Sequence, residues 1–318
     1  MAHERIPLRL VPDPRPDEPT GRDTGVLGAV EVLPGTVRAA LLTRTGAVRD
    51  RAQARFDATS ADPAVVDRAL GEAARVWAGH APAGIGVAAA GVVDPAGGRI
   101  IEVNDAPALR GYPVADRLAE LAGAPVRVEH RARVQVLGDR WFGAGRGRRS
   151  FASVATGEVL GVGILHDGRV LAPAGGRSGA HMTVTASGDL CTCGRRGCWK
   201  TVATTRWLRG RAAGLGLAES GLGDLVGSAD PVARDLVAAY AENLVLGLAT
   251  VQQLFACGLF VLHGEALDGG EPFRALVEAR LRADVLGGEL PRVVLGEAAD
   301  TGALLGAAGL VLSGPQGP

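Results

Sequence analysis

The chain has almost no lysine: of its 34 basic residues 33 are arginine, and Lys200 is the one exception. It also has no net charge, because 34 acidic residues balance the 34 basic ones. A chain without basic excess does not fit a dedicated nucleic-acid binder. Long hydrophobic runs are missing as well. No stretch reaches the ~18 uninterrupted apolar residues of a transmembrane helix, and residues 1–22 are polar and proline-rich, without the apolar centre of a secretory signal. A soluble, cytoplasmic protein is therefore expected, with no membrane partner. Residues 1–25 read as a disordered tail, shorter than the roughly 50 residues that a DNA-reading domain needs. What is abundant is glycine (47) and apolar residues (47%) over a length of 318. At roughly 100–200 residues per domain that length predicts two domains or one two-lobed unit.

After the tail, β-type runs are expected at residues 26–33, 37–43 and 47–52, separated by Pro34-Gly35 and Thr45-Gly46. Short strands at that spacing predict a meander. A helical pattern over 62–78 opens on Asp62-Pro63, a cap followed by a first-turn proline. Strands follow at 85–90, 99–103 and 126–129, with a helix at 114–122. The second half repeats the plan. Strands are expected at 151–155, 159–166 and 169–172, with a tight turn at Asp167-Gly168, then a Gly- and Cys-rich insertion over 175–200. A long helix at 230–255, a strand at 259–262, a helix at 272–281, a strand at 292–295 and a helix at 301–312 complete the chain. Each lobe is thus an α/β unit in which a β meander precedes β/α units.

The densest local chemistry lies in residues 181–198, which hold His181, Cys191, Cys193 and Cys198. Three thiols within eight residues, with Gly194 and Gly197 letting the backbone fold tightly, supply three corners of a tetrahedron, and the upstream histidine supplies the fourth. A filled Cys3His shell describes a structural zinc site. A disulfide pair and three ordinary buried thiols are the competing readings; a reducing compartment disfavours the first. The fourth cysteine, Cys257, sits in an apolar stretch beside Phe255 and Leu259 and reads as core.

The string Cys-x-Cys-Gly-x-x-Gly-Cys, with a histidine ten residues upstream of its first cysteine, resembles the signature of the ROK family of bacterial sugar kinases and sugar-responsive repressors. Gly-Val-Ala-Ala-Ala-Gly-Val-Val-Asp-Pro at 86–95, Gly-Asp-Arg-Trp-Phe-Gly-Ala-Gly-Arg-Gly at 138–147 and Gly-Ala-His-Met-Thr-Val at 179–184 are similar too. The resemblance runs from about residue 26 to the end. It implies the two-lobed actin-like ATPase (ribonuclease H-like) fold, a sugar cleft between the lobes, a zinc loop that organises the cleft, and a homodimer or higher homo-oligomer. The lobes would be 26–138, with the helix at 301–318 packing back on it, and 139–300, carrying the zinc loop 175–200.

Several positions depart from the family's pattern. Counted back without a gap from Trp141-Phe142-Gly143, the family's sugar-orienting asparagine and catalytic aspartate fall on His130 and Arg131. A carboxylate can take the proton of a sugar hydroxyl, whereas a guanidinium stays protonated. Two sugar-binding glutamates correspond to Ser178 and Lys200, while Asn104 matches a retained sugar-binding asparagine. The first phosphate loop corresponds to Glu31-Val-Leu-Pro-Gly35-Thr36, and one inserted residue restores Gly35-Thr36. The second reads Gly157-Glu158, and the glycine pair near adenosine reads His263-Gly264. Together these losses argue against ATP and magnesium as cofactors.

The resemblance therefore implies a non-catalytic relative of the sugar kinases, a pseudokinase with a regulatory or sensory role. Its partner would be a small sugar or anionic sugar derivative held by Asn104, His130, Arg131, Ser178, His181 and Lys200. Three other readings stay open: an active ATP-dependent sugar kinase with an altered base such as His130, a transcriptional regulator acting without its own DNA-binding domain, and a cleft recruited to unrelated chemistry.

Overall fold

The computed structural model describes residues 25–171, 179–217, 221–285, 290–296 and 299–314. The expected disordered tail and Ser178 lie outside them. In the first half Val26–Leu33 (β1), Thr36–Thr43 (β2) and Val48–Arg55 (β3) form the expected meander. Helix Ala64–Ala73 (α1) is shorter than expected, because residues Ala74–Trp77 tighten into a 3-10 turn. Asp62 still serves the helix start, its Oδ1 accepting from Ala64 N at 2.9 Å. Ile85–Ala89 (β4) adds parallel to β1. A hairpin of Val92–Asp94 (β5) and Arg99–Glu102 (β6) stands apart, and Val114–Ala122 (α2) leads to Val126–His130 (β7), parallel to β4. The sheet order is β3-β2-β1-β4-β7.

A helix that the hydrophobic pattern does not announce follows at once, Arg131–Trp141 (α3). Its buried side includes Arg133, Gln135 and Asp139, so it has no apolar stripe of the kind that marks a helix. The second sheet then repeats the first. Phe151–Thr156 (β8), Gly161–His166 (β9) and Arg169–Val170 (β10) are antiparallel. The Asp167-Gly168 turn has φ +48° and +79°, the signature of a two-residue hairpin matched to strand twist. Two helices absent from the sequence reading, Thr205–Gly214 (α4) and Leu222–Gly227 (α5), precede the long helix Pro231–Phe255 (α6). Leu259–Gly264 (β11), Ala266–Ala283 (α7) and Arg292–Leu295 (β12) complete the order β10-β9-β8-β11-β12. Helix α7 begins before the expected residue 272, because two helical pieces join across a kink at Gly270.

The last helix, Ala299–Leu312 (α8), packs on α3 and on β1 and β4 of the first sheet. It also touches β11, while α3 touches strands of both sheets. The two helices therefore form the seam between the lobes. Their approach is backbone to backbone: a Cβ on Gly306 would lie 2.4 Å from Val134 O, closer than any side chain allows. Apolar clusters fill each lobe, with Leu70, Ile85 and Leu109 in the first and Tyr240, Phe260 and Phe273 in the second. Among the described residues no helix is long and apolar enough to cross a membrane.

Candidate functional site

The ligand atoms of His181, Cys191, Cys193 and Cys198 all lie within 4.8 Å of one another. Cys193 Sγ and Cys198 Sγ are 3.6 Å apart, and Cys191 Sγ is 3.5 Å from His181 Nδ1. Two thiolates at 2.3 Å from a tetrahedral zinc would be separated by about 3.8 Å, so the four residues fit that ion. The Arg195 backbone N–H, aimed at Cys193, draws its thiol down to about 7. Local backbone makes the cluster possible. Cys191 N donates to Arg195 O at 2.7 Å, and Gly197 (φ +69°) passes so close to Thr185 O that a Cβ would sit 1.7 Å from it. The next residue, Trp199, is fully buried and donates Nε1 to Asn243 O of α6 at 3.0 Å. Cys257 takes no part. It is buried in the second core, and burial pushes its thiol up to about 12.

Beside the cluster a cavity of about 670 Å³ opens between the lobes. Asn104 and Asp105 line it from the first lobe; Glu158, Cys191, Lys200 and Trp207 are among those lining it from the second. Lys200 is fixed there by its own backbone, its N donating to Ala180 O at 3.0 Å. Its ammonium has no partner among the described residues. The cavity is not a purely positive pocket: Lys200, Arg206 and Arg211 face Asp105, Glu158 and Asp189. Asp105 has φ +62°, a conformation uncommon outside glycine and found mostly in Asn and Asp. Trp207 is a residue that the sequence reading missed. It stacks on Tyr240 at 6.2 Å and carries Arg211 over its ring at 5.7 Å.

His130, Arg131 and His181 are not on the described wall of this cavity. Arg131 instead turns inward, where its Nε donates to Glu31 Oε1 at 2.6 Å. Glu31 is 1% exposed and its other oxygen accepts from Arg38 at 3.2 Å. Glu129 and Arg133 make a second pair at 3.1 Å. His130 is the N-cap of α3, its Nδ1 accepting from Ala132 N at 3.2 Å. Burial, with Arg133 and Arg131 nearby, lowers its pKa to about 4, so at neutral pH it is uncharged. The cationic clamp expected from His130, Arg131 and Lys200 is therefore not assembled: one member is neutral, one is paired with a buried carboxylate, and one stands in the cleft.

The three loop segments also take definite places. Pro34-Gly35 forms a tight turn in which Leu33 pairs with Thr36, and Gly35 O accepts from Phe56 N at 3.0 Å. Gly157 lies against the start of α7, with Glu265 N donating to Thr156 O at 3.3 Å. A Cβ on Gly264 would lie 2.2 Å from Thr156 O, so that position requires glycine. Its neighbour Glu265, unnoticed in the sequence, accepts from Thr205 Oγ1 at 2.5 Å and from the Tyr240 hydroxyl at 3.2 Å. Burial raises its pKa above the usual carboxylate value. His263 faces away from these loops, 3% exposed in the seam.

Comparison with known proteins agrees with this architecture. The ROK family model matches residues 28–313. A glucokinase of Thermotoga maritima is 33% identical over 130 residues, which are 39% of this chain and 40% of that protein. A xylose repressor of Bacillus spizizenii is 30% identical over 129 residues, 39% of this chain and 33% of the repressor. The matches thus span less than half the length of these two curated relatives. The solved structure of a ROK family glucokinase from Streptomyces griseus, in complex with glucose and AMPPNP, superposes with a TM-score of 0.74 at 26% identity, covering 90% of this chain and 99% of that one. With the family model matched over nearly its whole described length and that kinase's two-lobed actin-like fold shared, this chain belongs to the ROK family.

Proposed function

We propose that this protein is a non-catalytic sugar-binding member of the family, reporting a small ligand through lobe closure rather than phosphorylating it. The observation that carries this reading is the 2.6 Å pair of Arg131 with Glu31. Arg131 stands where the resemblance places the catalytic base, and Glu31 opens the segment that corresponds to the first phosphate loop. A guanidinium cannot accept a sugar proton, and this one already satisfies a buried carboxylate. Loss of a general base removes ~10²- to 10⁴-fold of rate. Glu158 on the cavity wall, paired with Arg209 at 3.5 Å, puts a carboxylate beside Gly157 where a phosphate loop would present only backbone N–H groups. Structural zinc held by His181, Cys191, Cys193 and Cys198 would fix the loop that presents Lys200, and this supports an acidic sugar derivative as ligand, its anion meeting the ammonium of Lys200.

Coupled ADP-release measurements over a panel of neutral sugars, sugar phosphates and sugar acids should show no turnover, while thermal shifts should single out acidic ligands. Lys200→Glu should abolish that shift with little change in the stability of the free protein. Clear turnover would overturn the reading. The reading favoured in that event is an active sugar kinase, supported by Asp105, whose carboxylate has no partner among the described residues and which lines the cavity next to Asn104. Asp105→Asn would then remove the activity.

A further inference from the structure

In the seam between the lobes, three buried polar side chains from three elements converge. Asp139 of α3 is 3% exposed, and its Oδ2 accepts from Ser153 Oγ of β8 at 2.5 Å. The same oxygen is 2.8 Å from His263 Nε2 of β11. A carboxylate oxygen that already takes a hydroxyl proton requires the histidine to donate as well, which places a proton on Nε2; in the neutral ring Nδ1 is then an acceptor. That Nδ1 is buried and has no partner among the described residues, and the same holds for Gln135 Oε1. Gln135 is itself only 5% exposed. Two buried acceptors without donors are costly in a native interior.

Both groups border one small cavity, which offers about 10 Å³ to the centre of a water and is also lined by Gly138, Gly302 and Leu305. That is the room one water requires, and a buried water needs polar partners to stay. A Cβ on Gly302 of α8 would stand 3.6 Å from His263 Nδ1 and 3.6 Å from Gln135 Nε2, so the glycine leaves the space free. We propose that one ordered water occupies this space, donating one hydrogen to His263 Nδ1 and the other to Gln135 Oε1, and that it completes a latch holding α3 to the second sheet. The proton count closes without any charged histidine: Ser153 and His263 donate to Asp139, and the water donates to His263 and Gln135. Helix α3 touches both sheets, so a fixed junction there gives the lobes a defined pivot.

A high-resolution crystal structure of the full chain should show density for a water within about 3 Å of both His263 Nδ1 and Gln135 Oε1. An empty space there overturns the proposal. Gly302→Ala should expel the water, and although alanine is the better helix former, Tm should fall by about 2 °C. Amides of residues 135–141 on α3 and 260–264 on β11 should exchange roughly 10-fold faster, reflecting easier local opening. Gln135→Met, similar in volume but without the acceptor, should behave likewise and carries the test if Gly302→Ala does not fold. A variant that loses the water yet keeps its Tm and its exchange rates, or gains stability, overturns the latch.

Discussion

Two sites in this molecule are built on opposite principles. In the second lobe, four side chains whose arrangement fits a zinc ion lie within 18 residues of chain, and their atoms meet within 4.8 Å. Their spacing is local, the glycines between them shape the loop, and Lys200 reaches the cavity wall from that loop. At the head of α3 in the first lobe, the pair that matters joins residues 100 positions apart, Arg131 and Glu31. Neither residue has a meaning by itself. An arginine at that point of the sequence reads as a free cation waiting for an anion; in the folded chain its charge is already answered from β1. The contrast shows that a site made of neighbours in sequence can be read as chemistry, while a site made of distant partners can be read only as vacancies and substitutions.

The largest effect should come from the second-lobe site. Cys198→Ser should remove bound zinc, as measured by elemental analysis, and destabilise the chain by about 4 kcal/mol, since loss of a structural metal belongs among the severe single-residue effects. Cys257→Ser, in the same lobe but away from the cluster, should keep its zinc; equal zinc loss in both would break the assignment of ligands. Next in size is the first-lobe site. Arg131→Ala should cost about 3 kcal/mol in urea unfolding, because it removes one of the two guanidinium partners of a carboxylate that is 1% exposed. Combined with Glu31→Gln, the losses should be non-additive by about 1–3 kcal/mol; strict additivity would mean that the two residues do not share an interaction.

The smallest effect is a pH dependence at His130. Its folded pKa is about 4 against an ordinary 6.5, so below about pH 6.5 the unfolded chain takes up a proton that the folded chain refuses. The stability is fully present above pH 6.5 and is lost as pH falls toward 4, by about 2 kcal/mol at pH 5. Protonation at Nδ1 would also remove the cap acceptor for Ala132 N. His130→Asn keeps a capping oxygen and should flatten this part of the stability profile. An unchanged profile would show that His130 is less enclosed than its burial implies.

Most strands were legible because their alternation and turn residues are local. Strands β1 and β8 begin at residues 26 and 151, where the apolar runs begin, and Asp167-Gly168 forms the tight turn its sequence specifies. Helix α3 was not legible. Burial of Arg133, Gln135 and Asp139 inverts the rule that buried faces are apolar, and only partners on other elements make that burial tolerable. Helices α4 and α5 were missed for a related reason: α4 mixes arginines and glycines with its few buried positions, and α5 spans only six residues. The cluster that fits zinc was readable from spacing; Glu265, Trp207 and the strained Asp105 were not, since each gains its place from a neighbour far along the chain.

By itself, then, the sequence determined the repeated sheet plan and the four residues whose spacing fits zinc, while the family resemblance placed Lys200 at the cleft. The first two are encoded by period and short spacing, which persist in any fold the chain adopts. Only the tertiary structure decided that Arg131 is neutralised by Glu31, that His130 is an uncharged helix cap, and that His263 lies buried on Asp139 between the lobes. Charge, protonation and access depend on what lies within a few ångströms in space, and a linear pattern does not say which residues lie beside one another.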